Sequence, residues 1–296
     1  MRRWLSHSHP GAQHPRDLGG FATPSAKLTQ QSVSHSVANA KLARVSVDIQ
    51  FPAAVSEETN PPHSTLEHRF GSLLPAWLRR RLMAVESVIE REVAAFAHGL
   101  PQGSRVLDAG AGEGRFRPWF GHCRYAGVDL GIGDARWNYA GLDVLGDLTR
   151  LPFPDHAFDA LVNIVVLEHT RRPEAVLAEL GRVLKPGGRL LLVAPQQWEV
   201  HQQPHDYFRF TRYGLEWLLV QAGFSGLRIE PIGGYFTLLA RRLLNGLTFF
   251  QGGARWLAFP FVAAVAGCCG LLLPALDFLD ADKHFTLAYV CVAEKK

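Results

Sequence analysis

The chain has 296 residues, 47% of them hydrophobic and 20% charged, which is typical of a globular protein with one large domain or one domain with additions. Its four cysteines, Cys123, Cys268, Cys269 and Cys291, have no metal-ligand spacing, so the sequence predicts no metal site and a reducing, cytoplasmic compartment. A net charge of +4 without a basic tract argues against a nucleic-acid partner and leaves a weak preference for anionic surfaces.

Residues 1–68 are predicted to be a disordered extension. Residues 1–65 contain nine serines and five histidines but only three aromatic residues, with no sustained periodicity. Such a segment cannot bury enough apolar area to offset the entropy of ordering it, and it lacks the apolar stretch of a secretory signal. We expect order from about residue 70, because apolar residues recur at helical spacing from Pro75 towards His98.

The segment Val106–Phe116 combines an apolar strand with three glycines at alternate positions. It predicts a strand, a tight turn and a helix start, with the glycine backbone forming a cradle for a ligand. Acidic side chains beside the cradle would repel the pyrophosphate of a dinucleotide but suit a ligand with cationic groups. We therefore predict S-adenosylmethionine as the cofactor in preference to NAD. The cofactor-binding residues predicted here are Asp108, Gly110, Gly112, Glu113 and Gly114.

Two further strands follow the cradle. The first, Tyr125–Leu130, carries Asp129 about where nucleotide-binding units have a ribose-binding acid. The second is short, Leu142–Leu145, and is followed by Asp147, an acid that is equally suited to capping a turn.

A nearly continuous apolar run, Phe158–Val166, predicts a central strand buried on both faces. His169 follows it, at the strand end where open α/β sheets bind ligands. This imidazole is a candidate base for an acceptor hydroxyl. An equally weighted alternative is that His169 only orders the loop or caps the helix that opens near Pro173.

That helix is predicted to end at Lys185-Pro186-Gly187-Gly188, before a fifth strand at Arg189–Ala194. The loop after Pro195 is rich in polar and aromatic residues and is predicted to bind the acceptor. Thr211 is then expected to cap a helix from Arg212 to Ala222.

The motifs in this order resemble those of the class I S-adenosylmethionine-dependent methyltransferases. The matching segments are Asp108–Gly114, Gly146–Phe153, Phe158-Asp159, Leu167–His169 and Lys185–Gly188. The resemblance implies an α/β, Rossmann-like, doubly wound seven-stranded mixed sheet with strand order 3-2-1-4-5-7-6. It implies that Asp147 accepts a hydrogen bond from the adenine amino group and that the Leu148 amide meets the ring. Leu130 and Asn163 complete the predicted cofactor-binding residues.

The stretch Pro204–Thr211 is similar to one in a bacterial subgroup of these methyltransferases. His205 is a candidate base that Asp206 would orient, and these two join His169 as the predicted catalytic residues. Arg209 would hold a carboxylate or phosphate, Tyr207 would cover a ring, and His201 is the third predicted substrate-binding residue. The alternative is a self-satisfied loop in which Arg209 pairs with Asp206 and nothing touches substrate.

Strands six and seven are predicted at Leu227–Glu230 and Phe285–Ala293, separated by an apolar insertion over residues 234–283. Trp256–Leu276 has no charged residue and is long enough to span a membrane. However, two strands of one sheet cannot lie on opposite sides of a bilayer. We expect a helical hairpin that enters one leaflet, with Arg241, Arg242 and Arg255 near anionic head groups, or else a buried lid or homodimer surface.

The sequence thus predicts a methyltransferase core over residues 69–233 and 284–296, interrupted by the insertion. The predicted function is in-line methyl transfer from S-adenosylmethionine to a small-molecule or a lipid- or glycan-linked acceptor. The alternatives are an NAD-dependent oxidoreductase and a non-catalytic, membrane-associated scaffold that keeps the fold. The predicted location is the cytoplasm, with contact to the inner face of the cytoplasmic membrane left open.

Overall fold

Seven strands form one mixed sheet in the computed structural model, which describes residues 83–133, 137–250 and 252–296. The strands are β1 Arg105–Ala109, β2 Arg124–Asp129, β3 Val144–Leu145, β4 Phe158–Ile164, β5 Leu184–Pro195, β6 Phe224–Ile232 and β7 Ala288–Lys295. Their order is β3-β2-β1-β4-β5-β7-β6, and β7 runs antiparallel to both β5 and β6. The predicted fold class and strand order are confirmed. The extension predicted over residues 1–68 lies outside the described residues.

Five α-helices accompany the sheet within the described residues. They are α1 Ala84–His98, α2 Pro173–Val183, α3 Arg212–Gln221, α4 Tyr235–Asn245 and α5 Phe259–Leu272. Thr211 caps α3 as predicted, because its hydroxyl accepts a hydrogen bond from the amide of Gly214 at 3.1 Å. The part of the first predicted helix between Pro75 and residue 82 also lies outside the described residues.

The core has two layers, one on each face of the sheet, because successive side chains of a strand point to opposite faces. In β5, Leu190 and Leu192 pack in the layer that contains α2 and α3. Leu191 and Val193, the alternate residues, pack in the layer that contains α1. All four are fully buried, and each contributes about 1.5–3 kcal/mol of hydrophobic stabilisation. The central strands are therefore apolar on both faces, as the run Phe158–Val166 predicts.

Two predicted boundaries differ from the structure. The helix start expected at the end of Val106–Phe116 is instead a set of turns followed by the 3₁₀-helix Arg117–Phe120. The turns continue to Phe116, and the four-residue 3₁₀-helix, which has Pro118 near its start, fills most of what remains before β2 begins at Arg124. Strand β5 begins at Leu184 and not after the glycine pair, because Leu184 pairs with Phe158 ahead of an irregularity in the ladder.

The insertion between β6 and β7 folds as a helical hairpin of α4 and α5, with 3₁₀-helices at Gly246–Phe250, Gly253–Ala258 and Leu273–Leu279. The hairpin is closed where it leaves the sheet. The Asp277 carboxylate accepts hydrogen bonds from the amides of Gly234 at 2.8 Å and Phe236 at 3.0 Å, which are among the unpaired donors at the start of α4. Both ends of the hairpin therefore lie at one place beside the sheet.

Candidate functional site

A cavity of about 720 Å³ opens at the carboxyl ends of β1, β2 and β4, a size that suits a small-molecule ligand. Its wall contains ten of the residues that the sequence predicts for the site. They are Gly110, Gly112, Glu113, Asp129, Leu130, Asp147, Leu148, His169, His205 and Tyr207. The other predicted residues, Asp108, Gly114, Asn163, His201, Asp206 and Arg209, are not on this wall.

The glycine cradle fits a ligand that approaches the backbone closely. Gly110 has a φ of +92°, and a Cβ there would lie 2.4 Å from the side chain of Val166. Gly112 has a φ of +53°, and a Cβ there would meet the ring of Trp137 at 3.1 Å. Residues other than glycine rarely adopt such backbone angles, so the loop keeps its shape and its open surface only with glycine.

Asp129 ties the cradle to the loop that follows β2. One of its carboxylate oxygens accepts a hydrogen bond from the Gly112 amide at 2.9 Å, and the other accepts one from the Gly131 amide at 2.8 Å. A carboxylate has about four acceptor positions, so it can accept hydroxyl hydrogen bonds in addition. Asp129 thus fixes the shape of the site before any ligand is bound.

Asp108 lies inside β1 and is 1% exposed, with its carboxylate 2.6 Å from the hydroxyl of Tyr125. Burial raises the pKa of Asp108 from 3.8 to about 7, against the lowering effect of the Tyr125 hydrogen bond. The sequence predicts that the Asp108 carboxylate contacts the ligand, whereas in the structure this carboxylate is buried behind the cradle. Any effect of Asp108 on a ligand therefore acts through the loop that begins at Gly110.

The remaining predicted cofactor residues divide into two kinds. Asp147 and Leu148 reach the cavity wall, and Asp147 also accepts a hydrogen bond from the Thr149 amide at 2.8 Å, so both of its proposed uses are compatible with the geometry. Asn163 is buried in β4 and donates to the Ala109 carbonyl at 2.7 Å, which supports the cradle from below. Gly114 has a φ of +76° and shapes the turn away from the wall.

The loop after β5 forms the other end of the cavity. The phenol oxygen of Tyr207 lies 3.1 Å from Nδ1 of His205 and accepts a hydrogen bond from Arg171 at 3.1 Å. All three side chains are on the wall, together with Arg172. This end is basic and carries the His205 imidazole, while the cradle end is acidic.

Asp206 and Arg209 are engaged with each other. The guanidinium donates to both carboxylate oxygens of Asp206, at 2.6 and 2.8 Å, and to the carbonyl of Glu199 at 2.8 Å. Asp206 is 3% exposed, and the Arg209 hydrogen bonds are the main reason that its pKa falls to about 2. The paired arrangement is the alternative that the sequence left open. The planar fork expected to hold a substrate anion is occupied within the loop, so Arg209 positions the loop in this structure.

His169, on the wall at this end, comes together with Glu168 and His201 behind it, although the sequence predicts no metal site. The Nε2 atoms of the two histidines lie 3.7 and 3.6 Å from one carboxylate oxygen of Glu168. Burial lowers the pKa of His169 below its ordinary value. Burial also acts to lower the pKa of His201, but the adjacent Glu168, the Glu199 carbonyl and Asp206 raise it above its ordinary value.

Several wall residues were not predicted from the sequence. Trp137 covers the cradle at Gly112, and Arg171 and Arg172 supply the positive charge at the opposite end. An aromatic residue soon after the Asp129 strand and an arginine pair directly after the Leu167–His169 motif are the sequence signals that could have identified them.

Residues 107–192 match a family described as a methyltransferase domain. A tRNA (carboxymethyluridine(34)-5-O)-methyltransferase of Arabidopsis thaliana is 36% identical over 118 residues, which are 38% of this chain and 28% of the relative. A fatty-acid O-methyltransferase of Mycolicibacterium smegmatis is 41% identical over 104 residues, 30% of this chain and 36% of the relative. The chain thus spans about a third of the length of these relatives.

Among solved structures, the [4+2]-cyclase SpnF is 24% identical, with a TM-score of 0.47 over 70% of this chain and 81% of the cyclase. The family match favours the methyltransferase interpretation over the NAD-dependent oxidoreductase. The expectation of no nucleic-acid partner stays a prediction, since one relative is named for a tRNA reaction.

Proposed function

We propose that this chain, which carries a class I S-adenosylmethionine-dependent methyltransferase domain, transfers a methyl group to a small molecule held at the His205 end of the cavity. The observation that carries the proposal is that the cradle and the loop after β5 share one cavity. The acidic glycine cradle and the loop after β5 line the same wall, so a cofactor and an acceptor can meet there.

The cradle end suits S-adenosylmethionine by its donors and acceptors. Glu113, Asp129 and Asp147 supply carboxylates for ammonium, ribose hydroxyl and adenine amino groups, and the open backbone at Gly110 admits close contact. When bound, this cofactor supplies a methyl group on a sulfonium, which is already an activated leaving group. The residues of the chain therefore need to align the acceptor and exclude water more than to activate the methyl group.

The other end suits an acceptor that carries an anionic group or a hydroxyl. Arg171 and Arg172 favour a carboxylate or a phosphate by charge. If the methylated atom is a hydroxyl oxygen, His205 is the wall residue suited to receive its proton, with Tyr207 holding the imidazole. If the methylated atom is a carboxylate oxygen, no base is required. The relative named a fatty-acid O-methyltransferase makes long-chain carboxylic acids one class to test.

The test begins with calorimetry of S-adenosylmethionine and of NAD on the purified chain, and only the former should bind. Labelled S-adenosylmethionine is then incubated with separated lipid, glycan and soluble fractions of a cell extract. Replacing His205 with Ala should reduce turnover of a hydroxyl acceptor by about 10²–10⁴-fold and leave cofactor binding intact. The surface variant His98→Ala is the control. Failure of S-adenosylmethionine to bind would contradict the proposal.

We further propose that the α4–α5 hairpin contacts a membrane, which would place the enzyme on the inner face of the cytoplasmic membrane and favour a lipid-linked acceptor. The segment Gly253–Leu279 is long and apolar enough to span a bilayer, yet only 11% of its most apolar window is buried in the protein. Leu257 and Phe261 are 87% and 75% exposed. Because Asp277 closes the hairpin beside the sheet, the segment can enter one leaflet but cannot cross both.

The expected role of one of the three arginines, Arg241, in this contact needs correction. Arg241 is only 18% exposed and pairs with Glu86 at 3.1 Å and Glu199 at 2.7 Å, and Arg242 lies 3.3 Å from Glu199. Arg241 therefore holds α4 on the core and is withdrawn from lipid head groups, whereas Arg255 and Arg242, which is 42% exposed, remain accessible. Because the charge of Arg242 is balanced by Glu199, membrane binding should follow apolar area and depend weakly on salt.

Liposome flotation tests this contact. The double variant Leu257→Ser with Phe261→Ser should stay with the soluble fraction, while the wild type floats with both neutral and anionic vesicles. The control is Trp217→Ser, which changes an aromatic residue on α3 that is 61% exposed. A wild-type protein that ignores vesicles and forms a dimer that the double variant loses would establish a homodimer surface instead.

A further inference from the structure

We propose that Glu168, His169 and His201 bind a divalent transition-metal ion directly behind the acceptor end of the cavity. This inference goes beyond methyl transfer and does not depend on it. Glu168 and His169 belong to the 3₁₀-helix Leu167–His169, which follows β4, and His201 belongs to the loop after β5. An ion at this place would connect the end of the central strand to the loop that faces the acceptor.

The geometry of the three side chains suits a shared ion. One carboxylate oxygen of Glu168 lies 3.7 Å from Nε2 of His169 and 3.6 Å from Nε2 of His201. The three potential ligand atoms all lie within 4.8 Å of one another. Ligands about 2.0–2.2 Å from a common ion are a little more than 3 Å apart, so a small inward movement completes the site.

The burial of these atoms calls for a cation. The Glu168 side chain is 0% exposed, and neither of its oxygens accepts a hydrogen bond from any residue that the structure describes. The Nε2 atoms of both histidines are likewise buried and have no hydrogen-bond partner within the described ranges. An unpaired carboxylate in the interior is costly unless a metal ion or a proton accompanies it. One divalent ion would satisfy all of these atoms together.

The two histidines are held in the form that a metal needs. Nδ1 of His169 lies 2.8 Å from the carbonyl oxygen of His205, and Nδ1 of His201 lies 3.0 Å from that of Glu199. A carbonyl oxygen only accepts, so each Nδ1 carries its proton. In the neutral ring this leaves the lone pair on Nε2, which is the atom that faces Glu168. Such outer hydrogen bonds are typical of histidines that ligate metals.

The ligand set indicates the class of ion. Two imidazole nitrogens and one carboxylate oxygen are the set of many zinc and non-haem iron sites, whereas Mg²⁺ and Ca²⁺ prefer oxygen alone. Three protein ligands leave at least one coordination position. Because His169 is on the cavity wall, this position is near the acceptor end.

Metal content and metal binding of the full-length protein test the proposal. The protein is stripped with a chelator, dialysed against Zn²⁺ or Co²⁺, and analysed for bound metal and for the visible spectrum of Co²⁺. The wild type should hold one ion more per chain than Glu168→Gln, and its affinity should exceed that of the variant by more than the roughly 10–100-fold that loss of an outer partner costs. Histidines before residue 83 and the cysteines contribute equally to both proteins, so the difference isolates this site.

Two further variants make the outcome decisive. The control His284→Gln changes a histidine that is 77% exposed and should bind metal as the wild type does. His201→Gln serves if Glu168→Gln fails to fold.

In chelator the Glu168→Gln variant should be as stable as the wild type or more so, and the rise in melting temperature on adding Zn²⁺ should disappear. Equal metal content and an equal rise in both proteins would overturn the proposal and leave a shared proton as the occupant. Calorimetry of S-adenosylmethionine on the same samples reports the methyltransferase proposal separately.

Discussion

Asp108 should make the stability of this protein depend on pH in an unusual direction. Its pKa of about 7 in the folded state lies about three units above the ordinary value of 3.8. The folded state therefore holds a proton that the unfolded state has released between about pH 4 and pH 7. The contribution of Asp108 to the free energy of unfolding is greatest below its unfolded pKa, falls as the pH rises through that window, and is constant above it.

The magnitude follows from the size of the shift. Each pKa unit corresponds to about 1.4 kcal/mol, so the wild type should lose about 4 kcal/mol from this group across the window. Asp108→Asn keeps the shape of the side chain and an oxygen that can accept the hydrogen bond from Tyr125, but it cannot ionise. The stability of the variant relative to the wild type should therefore increase by about 4 kcal/mol between about pH 4 and pH 8.

Urea unfolding at a series of pH values measures this difference. Asp282→Asn removes a carboxylate that is 80% exposed and is the matched control, for which the difference from the wild type should not change with pH. Parallel stability curves for the wild type and Asp108→Asn would refute the reasoning, because they would mean that Asp108 is already ionised in the folded protein at low pH.

Three other substitutions test the site. Asp129→Ala should weaken S-adenosylmethionine binding about 10–100-fold in calorimetry, because each hydrogen bond to a charged group contributes about 1.5–3 kcal/mol, and an unchanged affinity would contradict the ribose assignment. Gly110→Ala should lower the free energy of unfolding, measured in urea, by at least about 1–2 kcal/mol. Alanine disfavours the positive φ of this position, and its Cβ would collide with the side chain of Val166. An unchanged free energy of unfolding would mean that the loop can rearrange. Arg209→Ala should destabilise the protein by about 3 kcal/mol by leaving Asp206 buried without its partner, and should slow turnover while cofactor affinity is kept; equal loss of cofactor affinity would place Arg209 in the cofactor site.

The sequence predicts the glycine cradle and its place on the cavity wall because local patterns determine them. The alternation of glycines and the acid at the end of the next strand fix where Gly112 and Asp129 must lie once the strands are parallel. The two residues then meet by a hydrogen bond of 2.9 Å. The apolar strand Phe158–Val166 likewise indicates its own central position, since only a strand covered on both faces lacks polar alternation.

The acceptor end could be predicted only in part because distant segments form it. Glu168 and His201 are brought together when the loop after β5 folds back, with the amides of Tyr207 and Phe208 donating to the Glu168 carbonyl at 2.9 and 3.2 Å. No spacing in the sequence reveals that contact. The same folding pairs Arg209 with Asp206. Arg209, which the sequence predicts to bind substrate, therefore stabilises the loop in this structure.

The burial of the Asp108 carboxylate could not be predicted from the sequence for a different reason. A motif places the residue beside the cradle but does not say whether its carboxylate faces the cavity or the interior. That choice depends on Tyr125, whose ring and hydroxyl lie on the next strand. The connection between β1 and β2 is a similar case, because the glycine pattern predicts the turn but not that a 3₁₀-helix follows it in place of an α-helix.

The closure of the hairpin at Asp277 has a consequence for how the protein opens. Because the base of α4 is held by Asp277 and not by the ladder of β6 and β7, the hairpin can unfold without breaking a single strand pair. It is thus a candidate for an independent cooperative unit, whose amide hydrogens would exchange with solvent earlier than those of the sheet. A bilayer or a bound acceptor that covers α5 would slow exchange in this unit alone, and the sheet would keep its own rate.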